Sequence, residues 1–514
     1  MSKKTSVRRQ KIALLIRNFK NVMRQIVKNK KSLFGLIILI FFAAIAAFGP
    51  FFTTLDPIGL GSVHNPTVEL PVAEINCVPS WYTGENITHN INVISHPHFD
   101  SQSDLDYWKK TTTEGVTVKY NASIGSPEKG SIEIAFSKSG NATLSIDFQY
   151  PYKIPPQSFR GKLSYYLTAM NEAPKNEANI TILTRFVRKE ARIRTYQSSM
   201  PIIAYFTKDQ MNNWFLVKNE IDSSNSRLIN LYQSEFGKLP KDVIFSKPAN
   251  YTFEINVQFE GNASKLGNPT LYLDDIQLII YGNSFGLLGT DYMGRDIFTQ
   301  LIVGTRISFI IGIVAAVLSV GIGLVYGLTS AYVGGVVDEV MMRFNDLLLV
   351  IPTLPLLLVM VYVVGQSMTN IIIVVGVLGW MGFARTVRSA VLSLKERPFV
   401  EAAKAVGAGR LHIMSRHIIP NVIPLVYVTL AMSVPSAIIS EAALSWLGLG
   451  PLDVMSWGRM LYEFELSGTI ATGALTKWYW VIPPGLCICL LSLSFVLIGY
   501  ALDEIFNPKL RERR

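Results

Sequence analysis

Charge is scarce in this chain. Only 17% of its 514 residues are Asp, Glu, Lys or Arg, against roughly 25% in an ordinary soluble domain. That deficit excludes a protein solvated on all sides. Cysteine is scarcer still. Cys77 stands alone in a polar stretch, and Cys487 and Cys489 share an apolar run, so neither a disulfide framework nor a zinc-ligand spacing is present. The sequence has no Gly-x-x-x-x-Gly-Lys-Ser/Thr loop, so the chain itself is not expected to bind ATP or Mg. It also shows no catalytic constellation, and His412 and His417, in a basic loop, read as surface residues and not as a metal pair. Finally, residues 1–31 hold Lys3, Lys4, Arg8, Arg9, Lys11, Arg17, Lys20, Arg24, Lys28, Lys30 and Lys31 but no Asp or Glu. An apolar run follows directly, so this stretch reads as a cytoplasmic flank of a membrane span and not as a nucleic-acid tail. The run is too long for a signal peptide and lacks its small-residue cleavage site.

Long uncharged runs are what the chain does have. A helix needs about 20 apolar residues to cross the hydrocarbon core. Ser32–Leu55 supplies one run and Ile307–Val337 a second. No charge occurs between Asp346 and Arg385, a stretch divided into a third and a fourth span by the polar cluster Gly365–Asn370. Ile418–Ser440, with Pro420, Pro424 and Pro435, gives a fifth and Trp478–Leu502 a sixth. Both ends are basic, the tail carrying Lys509, Arg511, Arg513 and Arg514. Six spans place both in the cytoplasm, together with the loop holding Arg385, Arg388, Lys395, Arg397, Lys404, Arg410 and Arg416, as the positive-inside rule requires.

The pattern changes between the first and second spans. Residues 56–283 alternate: Val116/Val118/Tyr120, Ile132/Ile134/Phe136, Leu144/Ile146/Phe148/Tyr150, Ile180/Ile182, Tyr251 to Phe259, and Leu271/Leu273 followed by Ile276/Leu278/Ile280. Period-two runs parted by Gly, Asn and Pro are half-buried strands, and this many suggest an antiparallel sandwich. The expected fold class is an α-helical polytopic membrane protein with six transmembrane helices and a large extracytoplasmic β-sandwich insert. Its divisions are 1–31 basic N-terminus, 32–55 first helix, 56–283 insert, and 284–514 membrane core. Six Asn-x-Ser/Thr acceptors, Asn86, Asn121, Asn141, Asn179, Asn250 and Asn262, all fall in the insert, a pattern that suits glycosylation at a cell surface.

Residues 396–420 carry the most specific motif, Glu401-Ala402-Ala403-Lys404-Ala405-Val406-Gly407 and, ten residues on, Ile418-Ile419-Pro420-Asn421. Good helix formers, small alanines and a glycine suited to positive φ describe a helix–turn docking element. The segment resembles the EAA loop of ABC importer permeases, with Ile419 where Leu is usual. Leu288-Gly289-Thr290-Asp291-Tyr292-Met293-Gly294-Arg295-Asp296 resembles the signature that precedes the second helix in C-type subunits of dipeptide/oligopeptide permeases. Its glycines allow tight turns, and Thr290 or Asp291 is placed to cap the following helix. Asp338…Arg343…Asp346…Pro352, Glu441 to Gly450 and Asn507-Pro508-Lys509 resemble further stretches of that family. The ends of the insert, His98-Phe99-Asp100 and Tyr272 to Ile276, loosely resemble carbohydrate-binding jelly rolls, in which Asp274 or Asp275 would offer a calcium ligand.

The resemblance implies a plasma-membrane permease subunit that moves solute by alternating access. ATP is then hydrolysed by two ATP-binding partner subunits docked through Glu401, Ala402, Ala403, Gly407, Ile418 and Pro420. A second, similar permease and an extracytoplasmic solute-binding protein complete the assembly, in contact with membrane lipid. Peptides are the family's usual cargo. Oligosaccharides remain open as cargo, and so does a different class, a membrane receptor whose sandwich senses a ligand.

Overall fold

The computed structural model describes residues 17, 22–59, 70–126, 130–168, 178–188, 200–205, 211–451, 453–468 and 477–506. Most of the basic N-terminal stretch and the tail from Asn507 lie outside the described residues. The chain forms two compact units, Met1–Ile58 with Ile297–Arg514, and Gly59–Asp296. Residues 284–296 therefore fold with the β-rich unit and not with the membrane core.

In the helical unit, α1 is Lys30–Phe48, capped by Asn29, whose side chain accepts from the Lys31 amide at 3.0 Å. Helix α2, Ile297–Val333, stops at Gly334 and Gly335, both at positive φ (72° and 56°), a conformation that costs glycine nothing. Helices α3 (Gly335–Val350) and α4 (Thr353–Val364) form one apolar stretch bent by 91°. The bend falls at Ile351-Pro352, where proline has no N–H to continue the helix. The third apolar run expected from the sequence thus lies on a bent helix pair, α3–α4. After Gly365 (φ 105°), α5 (Met368–Leu378) and α6 (Met381–Lys395) follow, then α7 (Pro398–Ala405), α8 (Arg410–Leu449), α9 (Trp457–Leu466) and α10 (Trp478–Phe506). Among the described residues, five helices are long and apolar enough to cross a membrane, or six if the bent α3–α4 pair counts as one.

Small residues bring these helices together. A Cβ on Gly323 would stand 2.8 Å from the Trp380 carbonyl, and one on Gly327 2.4 Å from that of Ala384, so this Gly-x-x-x-Gly pair lets α2 meet the α6 backbone directly. Gly312 makes room on α2 for the Ile438 side chain of α8, whose Cγ1 would stand 2.5 Å from a Cβ there. Trp457 is fully buried: its Nε1 donates to the Leu301 carbonyl at 3.1 Å, and Phe42 meets its ring edge-on at 5.5 Å. It ties α9 to α1 and α2.

The β-rich unit holds β1 (Ile91–Asn92), β2 (Lys109–Thr112), β3 (Val116–Asn121), β4 (Ser131–Phe136), β5 (Gly140–Tyr150), β6 (Ser158–Thr168), β7 (Asn179–Arg188), β8 (Met200–Tyr205), β9 (Trp214–Asp222), β10 (Ala249–Glu260) and β11 (Thr270–Tyr281). One sheet runs β3-β4-β11-β6-β9, with β1 also on β11, and the other β2-β5-β10-β7-β8. Every pair of strands is antiparallel. Inward side chains of both sheets, among them Ile134, Leu144, Leu163, Ile182, Ile255 and Leu273, share one core. Leu271/Leu273 and Ile276/Leu278/Ile280 change parity because β11 carries a bulge between Asp274 and Gln277; they form one strand.

Asp274 and Asp275 sit in that bulge. Asp274 accepts from the Ser126 and Asp275 amides at 2.7 Å, and burial pushes its pKa up. Asp275 has φ +49° and is ion-paired at 2.8 Å with Lys162, both side chains 1% exposed. The Asp275 carboxylate is thus paired with a lysine ammonium, and among the described residues no group of three or more His, Cys, Asp or Glu is placed to hold a metal ion. Cys77 is likewise buried, and desolvation lifts its thiol to about 11. A polar maleimide at near-neutral pH should therefore label Cys77 roughly a hundredfold more slowly in the folded protein than after denaturation, because the thiolate is the reactive form. Equal rates would show that the site opens.

Candidate functional site

The loop 396–420 is a short helix on a buried footing. Pro398 opens α7 at its first turn, where a missing N–H costs nothing. Val400 faces inward, fully buried with Ile413, Ile418 and Val422 among Leu328, Val387 and Val391. At its other end the Gly407 amide donates to the Lys404 carbonyl at 2.9 Å and the Ala408 amide to that of Ala403 at 3.0 Å, with Gly407 at φ +82°. This is a Schellman cap, which needs a left-handed residue at that position. The Tyr332 hydroxyl donates to the Arg410 carbonyl at 2.7 Å, and Lys395 Nζ to that of Ala331 at 2.9 Å, so both ends of the loop are pinned to the end of α2.

The outward face comprises Glu401, Ala402, Lys404, Val406 and Gly407. Val406 is 88% and Leu411 78% exposed, large apolar tips left uncovered next to charges. Ala403 is half-buried and Pro420 exposed. Ile418 is an anchor in the core and not part of the face. The segment Met414–Ile418, within the first turns of α8, is a π turn, whose wider winding precedes Pro420.

The signature Gly289–Asp296 does something other than cap α2. Thr290 and Asp291 are buried. Thr290 Oγ1 donates to the Glu74 carbonyl at 2.6 Å and accepts from the Cys77 amide at 2.8 Å. Asp291 takes the Met293 and Arg295 amides on Oδ1 and the Arg295 Nε on Oδ2 at 2.7 Å. Gly289 and Gly294 have φ +74° and +87°, and a Cβ on Gly289 would lie 2.2 Å from the Cys77 carbonyl. The segment is a buried, self-paired turn laid against Ala73–Val78; its charges are not solvated.

Other polar groups were less visible in the sequence. Arg388 grips Asp338 with Nε and Nη2, both at 2.7 Å, while Ser330 donates to the same carboxylate. Arg385 pairs with Asp346 one layer on. Glu339 and Arg343, the pair helical spacing suggests, stand 4.0 Å apart and largely exposed. Glu441 is buried, and its Oε1 accepts from Ser445 and Ser456 at 2.7 and 2.6 Å. Between α2, the end of α3, α4, α5, α6 and α8 lies a cavity of about 330 Å³. The sequence signal for it was the spacing Ser433, Ser436, Ser440 on one helical face. Among the glycosylation acceptors, Asn86, Asn250 and Asn262 are exposed, Asn141 and Asn179 are half-buried strand residues, and Asn121 donates its amide to Glu133 at 2.7 Å.

Long apolar helices packed through glycines beside a cavity are the architecture of a polytopic helical membrane protein. Residues 309–512 match the family described as "Binding-protein-dependent transport system inner membrane component", and residues 18–66 match "N-terminal TM domain of oligopeptide transport permease C". The oligopeptide transport system permease protein OppC of Bacillus subtilis (strain 168) is 40% identical over 227 residues, 44% of this chain and 72% of that one. The chain belongs to this family, as a C-type permease of the dipeptide/oligopeptide branch. Among solved structures, the methionine ABC transporter MetNI in an inward-facing form covers 41% of this chain and 97% of its own at 21% identity (TM-score 0.33). A carbohydrate-binding module, TmCBM61 in complex with β-1,4-galactotriose, covers 37% of this chain and 97% of its own at 10% identity (TM-score 0.22).

Proposed function

We propose that this chain is one of two permease subunits of an ATP-driven peptide importer in the plasma membrane, working by alternating access. In this reading six spans cross the bilayer, both termini lie in the cytoplasm, and the β-rich unit is an extracytoplasmic jelly roll. Two ATPase subunits, a second permease and a solute-binding protein complete the machine. ATP and Mg act in the ATPases. The exposed Asn86, Asn250 and Asn262 are the acceptors best placed for glycans.

One observation carries the reading: the loop 396–420 has a rigid root and an uncovered crest. Val400 and Ile418 are buried to the last few per cent, while Val406 and Leu411 project. An element fixed at its base and apolar at its tip suits transmission of a push from a partner's cleft to α6 and α8. The small side chains of Ala402 and Ala403 leave room for that partner's backbone.

The test is co-purification of the ATPase subunits with wild type and with Glu401→Arg and Gly407→Pro. Proline cannot adopt φ +82°, so the second change destroys the cap. Recovery of ATPase should fall roughly tenfold or more in each variant, equivalent to about 1.4 kcal/mol of lost association. Recovery equal to wild type would remove the docking role.

A further inference from the structure

Among the described residues of the β-rich unit, eight large hydrophobic side chains are exposed, and six of them crowd one end of the sandwich. These are Ile75, Trp81, Leu231, Leu239, Leu287 and Met293. The end is the one where β11 finishes at Tyr281 and where β6 and β10 begin. Leu231 and Leu239 lie on the connection from β9 to β10, and the other four on the two chain segments that leave and re-enter the unit. The described turns at the opposite end, 137–139 and 261–269, expose no large hydrophobic side chain. Apolar surface gathered in one place marks a contact with protein or membrane.

The patch is held rigidly. Trp81 Nε1 donates to the Leu287 carbonyl at 2.7 Å, so the indole has its polar bond and turns hydrocarbon outward. The Asn76 amide donates to the Asp291 carbonyl at 2.8 Å, and a Cβ on Gly294 would stand 3.6 Å from the Ile75 amide nitrogen, which sets Ile75 beside Met293. Gln157 Nε2 donates to the Ile75 carbonyl and Lys241 Nζ to that of Gln157, both at 2.7 Å, tying in the connection that bears Leu239. That connection carries Arg227, Lys238, Lys241 and Lys247 against Glu235 and Asp242, an excess of positive charge.

Chain length says what lies opposite. Helix α1 has 19 residues and rises roughly 28 Å, about the thickness of the hydrocarbon core, so its end at Phe48 marks the edge of that core. The start of α2 is level with it: Thr53 Oγ1 and Thr299 Oγ1 stand 2.7 Å apart, and a Cβ on Gly49 would stand 2.8 Å from Ile302 Cγ2. Met293 precedes Ile297, the first residue of α2, by four residues, and four residues reach about 14 Å at most. The patch is thus tethered within reach of the lipid headgroups.

We propose that this end of the β-rich unit is a monotopic membrane contact: Trp81, Leu287 and Met293 enter the headgroup and upper acyl layer, and the basic fringe faces anionic lipid phosphates. Trp is the residue that favours this layer, and positive charge beside an apolar surface strengthens binding to anionic lipid. The inference takes the helical unit as membrane-spanning; it needs neither the peptide cargo nor the ATPases.

The experiment places a bimane on the full chain at Leu287→Cys or Met293→Cys, in a Cys487→Ala/Cys489→Ala background where buried Cys77 is slow to label. Lys138→Cys, in the turn at the far end, and Phe41→Cys, on the exposed side of α1, are the references. Nanodiscs of phosphatidylethanolamine and phosphatidylglycerol are compared with and without a lipid carrying a doxyl quencher near the top of its acyl chain. The quencher should roughly halve emission from both patch positions, as for side chains about 5–10 Å into the interface, and leave Lys138→Cys unchanged. Patch labels quenched no more than Lys138→Cys, with Phe41→Cys quenched, overturn the proposal and leave the permease reading standing. A Phe41→Cys label untouched by the quencher discards both. The measurement is repeated in the assembled importer: quenching that disappears there means that a protein subunit covers the patch, and overturns the lipid assignment.

Discussion

Replacing Lys162 by Met is expected to lower the stability of the β-rich unit by about 3–5 kcal/mol, the usual cost of leaving a buried charge without its partner. Asp275 has almost no contact with solvent, and Lys162 Nζ, at 2.8 Å, is its ammonium partner. His98 Nδ1 stands at 3.5 Å, too far to take over the bond without movement. The double variant Lys162→Met/Asp275→Asn should recover most of the loss, because an uncharged pair of similar volume avoids desolvation altogether. Asn also tolerates the positive φ at position 275. Tryptophan-fluorescence melting of the purified full chain in detergent measures this. The single variant should melt roughly 10 °C lower and the double within a few degrees of wild type. A single variant that melts with wild type would mean that Asp275 is neutral in the folded protein.

The second large effect belongs to the membrane core. Arg388→Ala should cost about 2 kcal/mol, less than a fully buried pair because Arg388 retains partial exposure. The arginine forks onto both oxygens of Asp338, and this contact joins α3 to α6 just before the loop that leads into α7. Arg388→Lys should behave almost like Ala, since lysine cannot make the two-pronged contact. The exchange Asp338→Arg/Arg388→Asp should restore part of both melting temperature and ATP-dependent uptake. If the exchange is no better than either single change, the contact is not what couples these helices.

Which features were legible follows from where each side chain keeps its polar atoms. Spans free of charge announce themselves: Trp478–Leu502 lies within α10, and the run Ser32–Leu55 contains most of α1, which ends earlier, at Phe48 before Pro50. Strands with one wet face alternate, so β3, β4, β5, β7 and β10 could be read directly. Strand β6 could not: it is central, buried on both faces, and carries Lys162 where a solvent-facing lysine would be assumed. The bulge at Asp274 disguised one strand as two. The Asp291–Arg295 pair looked like turn charges because nothing in the sequence says that Ala73–Val78 returns to cover them. The 91° bend between α3 and α4 was signalled only by Pro352, a residue that kinks, ends or merely decorates a helix according to its neighbours. In the candidate site, the docking motif was plain from local spacing, whereas the cavity lined by Ser319, Thr353 and Ser436 needed three helices far apart in sequence to be assembled before they faced one space.

The root of the β-rich unit has a consequence for how the chain could have acquired it. Val78 bridges Ser284, and the Asn76 amide meets the Asp291 carbonyl at 2.8 Å. More than two hundred residues therefore leave and return at nearly the same point. A clasp of this kind makes a cassette: to whatever precedes Ala73 and follows Asp296, the inserted stretch is no longer than a hairpin. Such closely spaced ends are what allow one domain to be spliced into another without pulling its host apart. By that logic the sandwich could be exchanged or cut out at the clasp, and a short turn joining the two sides would span the same gap.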